Sequence, residues 1–405
     1  MDLFDKCYRY TDVKEAKAMD LYPYFHALES MQDIEVVMEG KRRIMIGSNN
    51  YLGLTGDPRV IAAGKQAIDE YGSGVSGSRF LNGTLHQHIQ LEQELAEFLG
   101  KEAALTFSTG FQSNLGIISA LAGRNDIIFC DRENHASIYD AIRLSYAQMV
   151  RYNHNDMNDL AKKLASADPQ KGKLIVTDGV FSMSGDIADL PGIVKLANEF
   201  HARVMVDDAH GFGVLGDHGR GTAEHFDLED DVDIIMSTFS KSLASLGGFM
   251  AADAQVVEYV KHKSRPFIFS AAIPPANTVT ALTALNILKQ EPERPRRLLE
   301  VSKHMRDRLT DFGLPLGPDT IAPIIPIYTY SKLRTLYAVK LLYDRGVYVN
   351  PVLPPAAPEG ECLIRTSYMA THTEDILDEA AAIIHEVLSE LPMDDKAIIE
   401  LIERG

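Results

Sequence analysis

The sequence predicts an α/β fold: a large domain with a mostly parallel central sheet flanked by helices, then a smaller α+β domain. The first observation is a series of short runs that are apolar nearly throughout, separated by stretches of helical periodicity between about Tyr51 and Phe269. The runs are AALTFS (103–108), DIIFCD (126–131), KLIVTD (173–178), RVMVDDAH (203–210), DIIMSTFS (233–240) and GGFMAAD (247–253). Unbroken apolar runs suit strands covered on both faces by helices, as in parallel sheets. The second observation is a change of style after Pro274–Pro275. Two amphipathic helices (about 277–290 and 295–311) are followed by strands near APIIPIYTY and VYVNP and by a helix from Thr373. The third is an N-terminal helix-bearing arm that runs into a strand pair around IEVVMEGKRRIMIGS, turned at Glu39–Gly40. The expected division is an arm over 1–45, a large domain over 46–275 and a small domain over 276–405, and 405 residues are ample for both cores.

Composition narrows the function classes. Charged residues make up 24% and the hydrophobic group 45%, ordinary values for a globular protein. A net charge of −17 argues against nucleic acid as a partner, because a phosphate-binding face needs clustered Lys and Arg. Cys7, Cys130 and Cys362 are too few and too scattered for a disulfide framework or a metal knuckle, so no metal is expected. The start MDLFDKCYRYTDVKEAK has no apolar core of a signal peptide, and no stretch has the apolar length of a membrane span. The expected location is the cytoplasm. No amphipathic basic helix argues for a membrane surface, and the sequence leaves peripheral contact open.

Several runs end in polar residues, and ligands of open α/β sheets bind beyond the carboxyl ends of the strands. Those ends are Thr109–Gly110, Asp178, Asp207–His210 and Thr238–Lys241. In TFSKSLASLGG, Lys241 is a candidate Schiff-base amine, since desolvation and cationic neighbours make a lysine nucleophilic. By itself it reads equally as a surface lysine in a Ser-rich turn. Asp207 stands 34 residues earlier, one strand–helix–strand excursion away. A buried acid there needs a partner, and a protonated ring nitrogen would serve; an ordinary helix cap is the plain alternative. In STGFQSN, Gly110 lets the backbone approach an anion at a helix N-terminus, with Thr238 and Ser240 as further donors. The literal G-x-G-x-x-G of residues 72–77 follows a helix rather than a strand, so it predicts no dinucleotide site.

Taken in order, SNNYLGL, GSGVSGSRFLNGT, STGFQSN, DRENHASIYD, VFSMSGD, VDDAHGFGVLG, TFSKSLASLGG, FSAAIPP and LIRTSYMATHT resemble the α-oxoamine synthases, from about Tyr22 to about Leu391. These are fold-type-I homodimers that depend on pyridoxal 5′-phosphate (PLP), condense an amino acid with an acyl-CoA and release CO2. The resemblance implies that Lys241 carries PLP as a Schiff base and later acts as base, and that Asp207 pairs with the pyridine nitrogen. His210 would contact the ring hydroxyl, His135 would stack on the ring and Ser182 would lie near it. Gly110, Phe111, Thr238 and Ser240 would hold the phosphate, joined by Ser270 of the neighbouring subunit, so that active sites are shared. Asn50 and Arg365 would bind the substrate carboxylate.

Within the family, SRFLNGT and HNDMNDL resemble members that join L-serine to palmitoyl-CoA, giving 3-ketodihydrosphingosine for sphingolipid synthesis. Glycine or alanine with a different acyl-CoA is the alternative, as in 2-amino-3-ketobutyrate CoA ligase or 8-amino-7-oxononanoate synthase. One departure stands out: Leu353 in NPVLPPAAP occupies a place where many members carry arginine. That leaves Arg365 as the expected sole carboxylate anchor.

Overall fold

The structure, a computed structural model, describes residues 2–404. The arm contributes the antiparallel pair β1 (Glu35–Met38) and β2 (Lys41–Met45). Its two-residue turn puts both Glu39 and Gly40 at positive φ, +51° and +68°, which matches the right-handed twist of a hairpin.

The large domain is built on seven strands: β3 (Ala103–Phe107), β4 (Asp126–Asp131), β5 (Gln148–Tyr152), β6 (Gly172–Asp178), β7 (Arg203–Asp207), β8 (Ile234–Thr238) and β9 (Gly248–Ala252), in the order β3-β9-β8-β7-β6-β4-β5. Pairing is parallel from β8 through to β5, and β9 alone runs antiparallel, between β3 and β8. The sheet is mostly parallel, as predicted. Its two faces carry separate apolar layers, one around Phe129, Val206 and Phe249 and the other around Ile128, Met205 and Met250. These pairs are sequence neighbours pointing to opposite faces, which is why the runs read as continuous. The strand β5 lies outside the predicted set: it is an edge strand whose residues are mostly half-exposed, so QMVRY lacks the apolar signal.

The C-terminal part adds β10 (Ile324–Tyr330), β11 (Val347–Tyr348), β12 (Asn350–Val352) and β13 (Cys362–Ser367). Three of these form a sheet in the order β10-β13-β12, with the long helix Glu374–Glu390 starting at Thr373, whose Oγ1 accepts from Ile376 N at 3.4 Å.

Packing crosses both of the expected boundaries. The helix Pro275–Gln290 buries Ala281, Leu285 and Leu288 in the large-domain core beside Leu52, Leu91 and Leu95. Pro275 is a helix N1 residue, where its missing N–H costs nothing, and not a linker. At the other end, β2 pairs in parallel with β11, and Ile44 joins the small-domain core, so the arm's strands are stitched to the C-terminal part.

Candidate active site

The carboxyl ends of β6, β7 and β8, and the helix start after β3, converge on a cavity of about 240 Å³. Lys241, Asp207, His135, His210, Asp178, Thr238, Ser240, Gly110 and Phe111 all line it. These residues are scattered over more than a hundred positions in sequence, and the parallel sheet collects them because every crossover returns to the same edge.

At one end of the cavity stands Asp207, 5% exposed and the last residue of β7. Its Oδ1 accepts from Ala209 N at 3.1 Å, and its Oδ2 accepts from Asn114 Nδ2 at 2.6 Å. Asn114 also donates to Ser137 Oγ at 2.8 Å, which ties the acid to the helix bearing His135. These bonds orient the carboxylate toward the cavity; an isolated buried charge would cost several kcal/mol. Beside it, Asp178 pairs in register with Asp207 across β6 and β7. Burial, and then the charge of Asp207, holds the Asp178 carboxyl well above the usual carboxylate range. Its Oδ1 accepts from His135 N at 3.2 Å.

The opposite end is made for an anion. The helix Gly110–Leu121 opens there, with Thr109 capping it by accepting from Gln112 N at 3.1 Å. A Cβ on Gly110 would sit 2.8 Å from the Thr238 Cβ, so glycine is the residue that lets this helix start lie against β8. Thr238 Oγ1 and Ser240 Oγ are 2.9 Å apart, two hydroxyls at the same end.

Between the two ends are the amine and two imidazoles. Burial pulls the Lys241 ammonium down to about 8; the charge of Arg365 pulls the same way, against Asp207 and Asp178. At pH 7 that leaves roughly a tenth of the amine neutral, compared with less than about one in a thousand for an ordinary lysine. Burial and the Lys241 charge keep His135 below its ordinary range despite Asp207, and its Nδ1 sits 2.7 Å from Ser137 Oγ. His210 lies well below its ordinary range, through burial and the charges of Lys241 and Arg365. Its Nδ1 is 2.6 Å from the Tyr51 hydroxyl, whose own ionisation burial pushes up to about 12. The Tyr51 hydroxyl also lies 3.3 Å from Asn49 Oδ1, so it links His210 to the asparagine that meets Arg365.

Four predicted residues, Arg365, Ser182, Asn50 and Ser270, stand outside the cavity lining. Arg365, central in β13, does not line the cavity but lies close behind it: Nε donates to Ser182 O at 2.5 Å, Nη2 to Asn49 Oδ1 at 2.9 Å and Nη1 to Ser367 Oγ at 3.4 Å. Ser182 thus enters through its carbonyl. Asn50 is turned into its own loop, donating to Thr55 Oγ1 at 2.6 Å, so the asparagine on Arg365 is Asn49, one position earlier. Ser270 lies outside this cavity, in a shallow pocket near Arg79 and Gln112. Asn114, Tyr51 and Asn49 were not among the expected site residues, although each sits inside a quoted motif. The chain offers no cluster of three or more metal-ligating side chains among the described residues.

PLP fits this cavity by its donor set: a carboxylate for a ring nitrogen, a neutral histidine, an amine of lowered basicity for the aldehyde, and a glycine-started helix with two hydroxyls for the phosphate. Fold and site together define a PLP-dependent enzyme of fold type I. Residues 41–384 match the family of class I and II aminotransferases. The chain is 53% identical to the serine palmitoyltransferase of Sphingobacterium spiritivorum, over 93% of this chain and 94% of that one. It is 41% identical to the 8-amino-7-oxononanoate synthase of Thermosipho melanesiensis, over 93% and 96%. Among solved structures, serine palmitoyltransferase from S. paucimobilis with a bound PLP–myriocin aldimine superposes with a TM-score of 0.92 at 37% identity, covering 98% of this chain and 99% of that one. The chain belongs to the class I and II aminotransferase family and, within it, to the α-oxoamine synthases.

The lowered Lys241 predicts how the apoprotein takes up its cofactor. Only the neutral amine attacks an aldehyde, and its fraction grows as pH climbs through about 8. The rate of PLP capture should therefore rise with pH about that midpoint and level off above pH 9, as followed by stopped-flow absorbance. A rise that continues unbroken toward pH 10.5 would mean an unperturbed lysine.

Proposed function

We propose that this chain joins L-serine to palmitoyl-CoA, releasing CoA and CO2 and giving 3-ketodihydrosphingosine, the first step of sphingolipid synthesis. The observation that carries the choice of substrates is 53% identity to a serine palmitoyltransferase across nearly the whole chain, against 41% for the 8-amino-7-oxononanoate synthase. The cavity's residues are those the chemistry needs.

PLP, when bound, supplies an electron sink for negative charge developing at the amino-acid Cα. Asp207 would hold the ring nitrogen protonated, and its bonds from Asn114 and Ala209 fix the carboxylate for that task. Arg365 would take the substrate carboxylate; its planar fork suits a two-oxygen acceptor. Lys241 Nζ, once free, would remove the Cα proton, and an amine with a pKa near the working pH is suited to a base that must also return its proton. Neutral His135 would cover one face of the ring and exclude water there, and His210 would contact the ring hydroxyl. Gly110, Phe111, Thr238 and Ser240 would hold the phosphate.

A second copy of the chain would complete the site. Ser270 is flanked by Phe269, 76% exposed, and the nearby loop presents Phe80 and Leu81 to solvent. Apolar side chains so placed favour burial between subunits, from where Ser270 would reach the partner's phosphate. Among the described residues no helix is long and apolar enough to cross a membrane.

The test is a spectral titration of the PLP-loaded protein with L-serine, glycine, L-alanine and L-threonine, followed by product analysis with palmitoyl-CoA. L-Serine should give the largest absorbance change and be the one that yields a long-chain ketone. A preference for glycine or alanine, with no ketone from serine, would sink the assignment.

A further inference from the structure

The motif HNDMNDL is not used by the chemistry above, yet His154 is the centre of a charged cluster close behind the site. Its Nδ1 is 2.9 Å from Asp131 Oδ1 and its Nε2 is 2.7 Å from Asp186 Oδ2. Both ring nitrogens face carboxylate oxygens, so both must donate and the ring is an imidazolium. Burial opposes that charge, but the bonds to Asp131 and Asp186 push the group up to about 10. Glu133 Oε2 stands 3.8 Å from Nε2 as a third acid.

The two acids belong to different parts of the chain. Asp131 ends β4 and is 1% exposed, and it also accepts from Asn155 N at 2.9 Å. Asp186 sits in the turn 181–187, which closes on itself through Phe181 N to Asp186 O at 2.9 Å and Gly185 N to Phe181 O at 2.9 Å. The Phe181 ring meets the imidazole edge to face, centroids 4.4 Å apart. At the tip of that turn is Ser182, whose carbonyl receives Arg365 Nε. The far side of the turn rests on the small domain, where Thr320 Oγ1 donates to Gly185 O at 2.7 Å.

We propose that His154 is a positioning residue for the substrate carboxylate: held between Asp131 and Asp186, it fixes the turn 181–187 so that Ser182 O aims the Arg365 guanidinium. This rests on the preceding reading of Arg365 as the carboxylate anchor. Without the cation, the buried Asp131 and the half-buried Asp186 lose the charge between them, and the turn keeps only the Asn155 link, from Asn155 Nδ2 to Asp186 Oδ2 at 3.2 Å and to Ile187 O at 2.9 Å, with Asn155 N on Asp131. The cofactor's own contacts, at Asp207, Lys241 and Gly110, are elsewhere.

The experiment uses the PLP-loaded protein and compares wild type with His154→Gln. Dissociation constants are read by spectral titration with L-serine and with ethanolamine, which is serine without its carboxylate. The expected result is an L-serine Kd and KM weaker by about tenfold, with ethanolamine affinity, the acyl-CoA KM and the resting cofactor spectrum unchanged. Asp186→Asn should give the same selective loss, and it carries the test if His154→Gln does not fold. Equal losses for L-serine and ethanolamine would reduce His154 to a general structural role and overturn the proposal. So would an unchanged L-serine Kd in a variant whose wild type responds. A wild type that ignores L-serine would instead overturn the serine reading, and this inference with it.

Discussion

Replacing Lys241 by alanine should abolish product formation, by at least about 10⁴-fold, and remove the long-wavelength absorbance of the resting PLP-loaded protein. Two duties fall on one amine: anchoring the cofactor and moving the Cα proton. The fold should survive, because the Lys241 side chain lines a cavity and lies outside the apolar core. Removing a buried cation that burial already disfavours costs little packing. Thermal melting of the variant should therefore stay near wild type, while turnover with L-serine and palmitoyl-CoA falls to background. Retained turnover would overturn Lys241 as the base.

The second large effect is expected from Asp207→Asn. The amide is nearly isosteric and can still accept from Ala209 N, so the local backbone should hold. It cannot stabilise a positive charge on the ring nitrogen. Oriented charge stabilisation of this kind is typically worth about 10²–10³-fold in kcat, and that is the expected loss, with a smaller change in KM for acyl-CoA. The Asn114 bond complicates the picture in a useful way. An Asn114 amide that now faces another amide must find an acceptor, so Asn114→Ser combined with Asp207→Asn should lose less than the sum of the two single changes. Steady-state kinetics of the four proteins check this.

Much of this was legible in the sequence, and the reasons are physical. Strands buried on both faces announce themselves as unbroken apolar runs, which is why the sheet from β3 to β9 could be read apart from its edge, β5. Gly110, Asp207 and Lys241 were readable because a parallel sheet delivers strand ends to one edge, so polar residues after apolar runs converge. Their roles, and those of His135 and Arg365, came from the family resemblance. What stayed hidden depends on pairing that no local pattern encodes. The strand β13 carries Arg365, Thr366 and Ser367, all fully or nearly buried, and its polar letters disguise a central strand. Asn49 and Asn50 are adjacent and chemically identical, and only the turn geometry decides that Asn49 meets Arg365. Tyr51 and Asn114 read as ordinary core and helix residues until His210 and Asp207 are placed against them. That the helix Pro275–Gln290 packs on the large-domain core was not legible, because a Pro-Pro pair marks a break in conformation, and not necessarily one in packing.

The antiparallel placement of β9 has a consequence for how the protein is born. The seven strands of the large sheet end at Ala252, so most of the cofactor-binding edge is translated before the core-packing helix Pro275–Gln290 and long before β13. The Asn114–Asp207 and Tyr51–His210 bonds, spanning 93 and 159 residues, can close at that stage. The Asn49–Arg365 bond spans 316 residues and waits for β13. Because domains fold as they emerge, a nascent chain would first acquire a place for its coenzyme and only later the arginine that selects what is bound there.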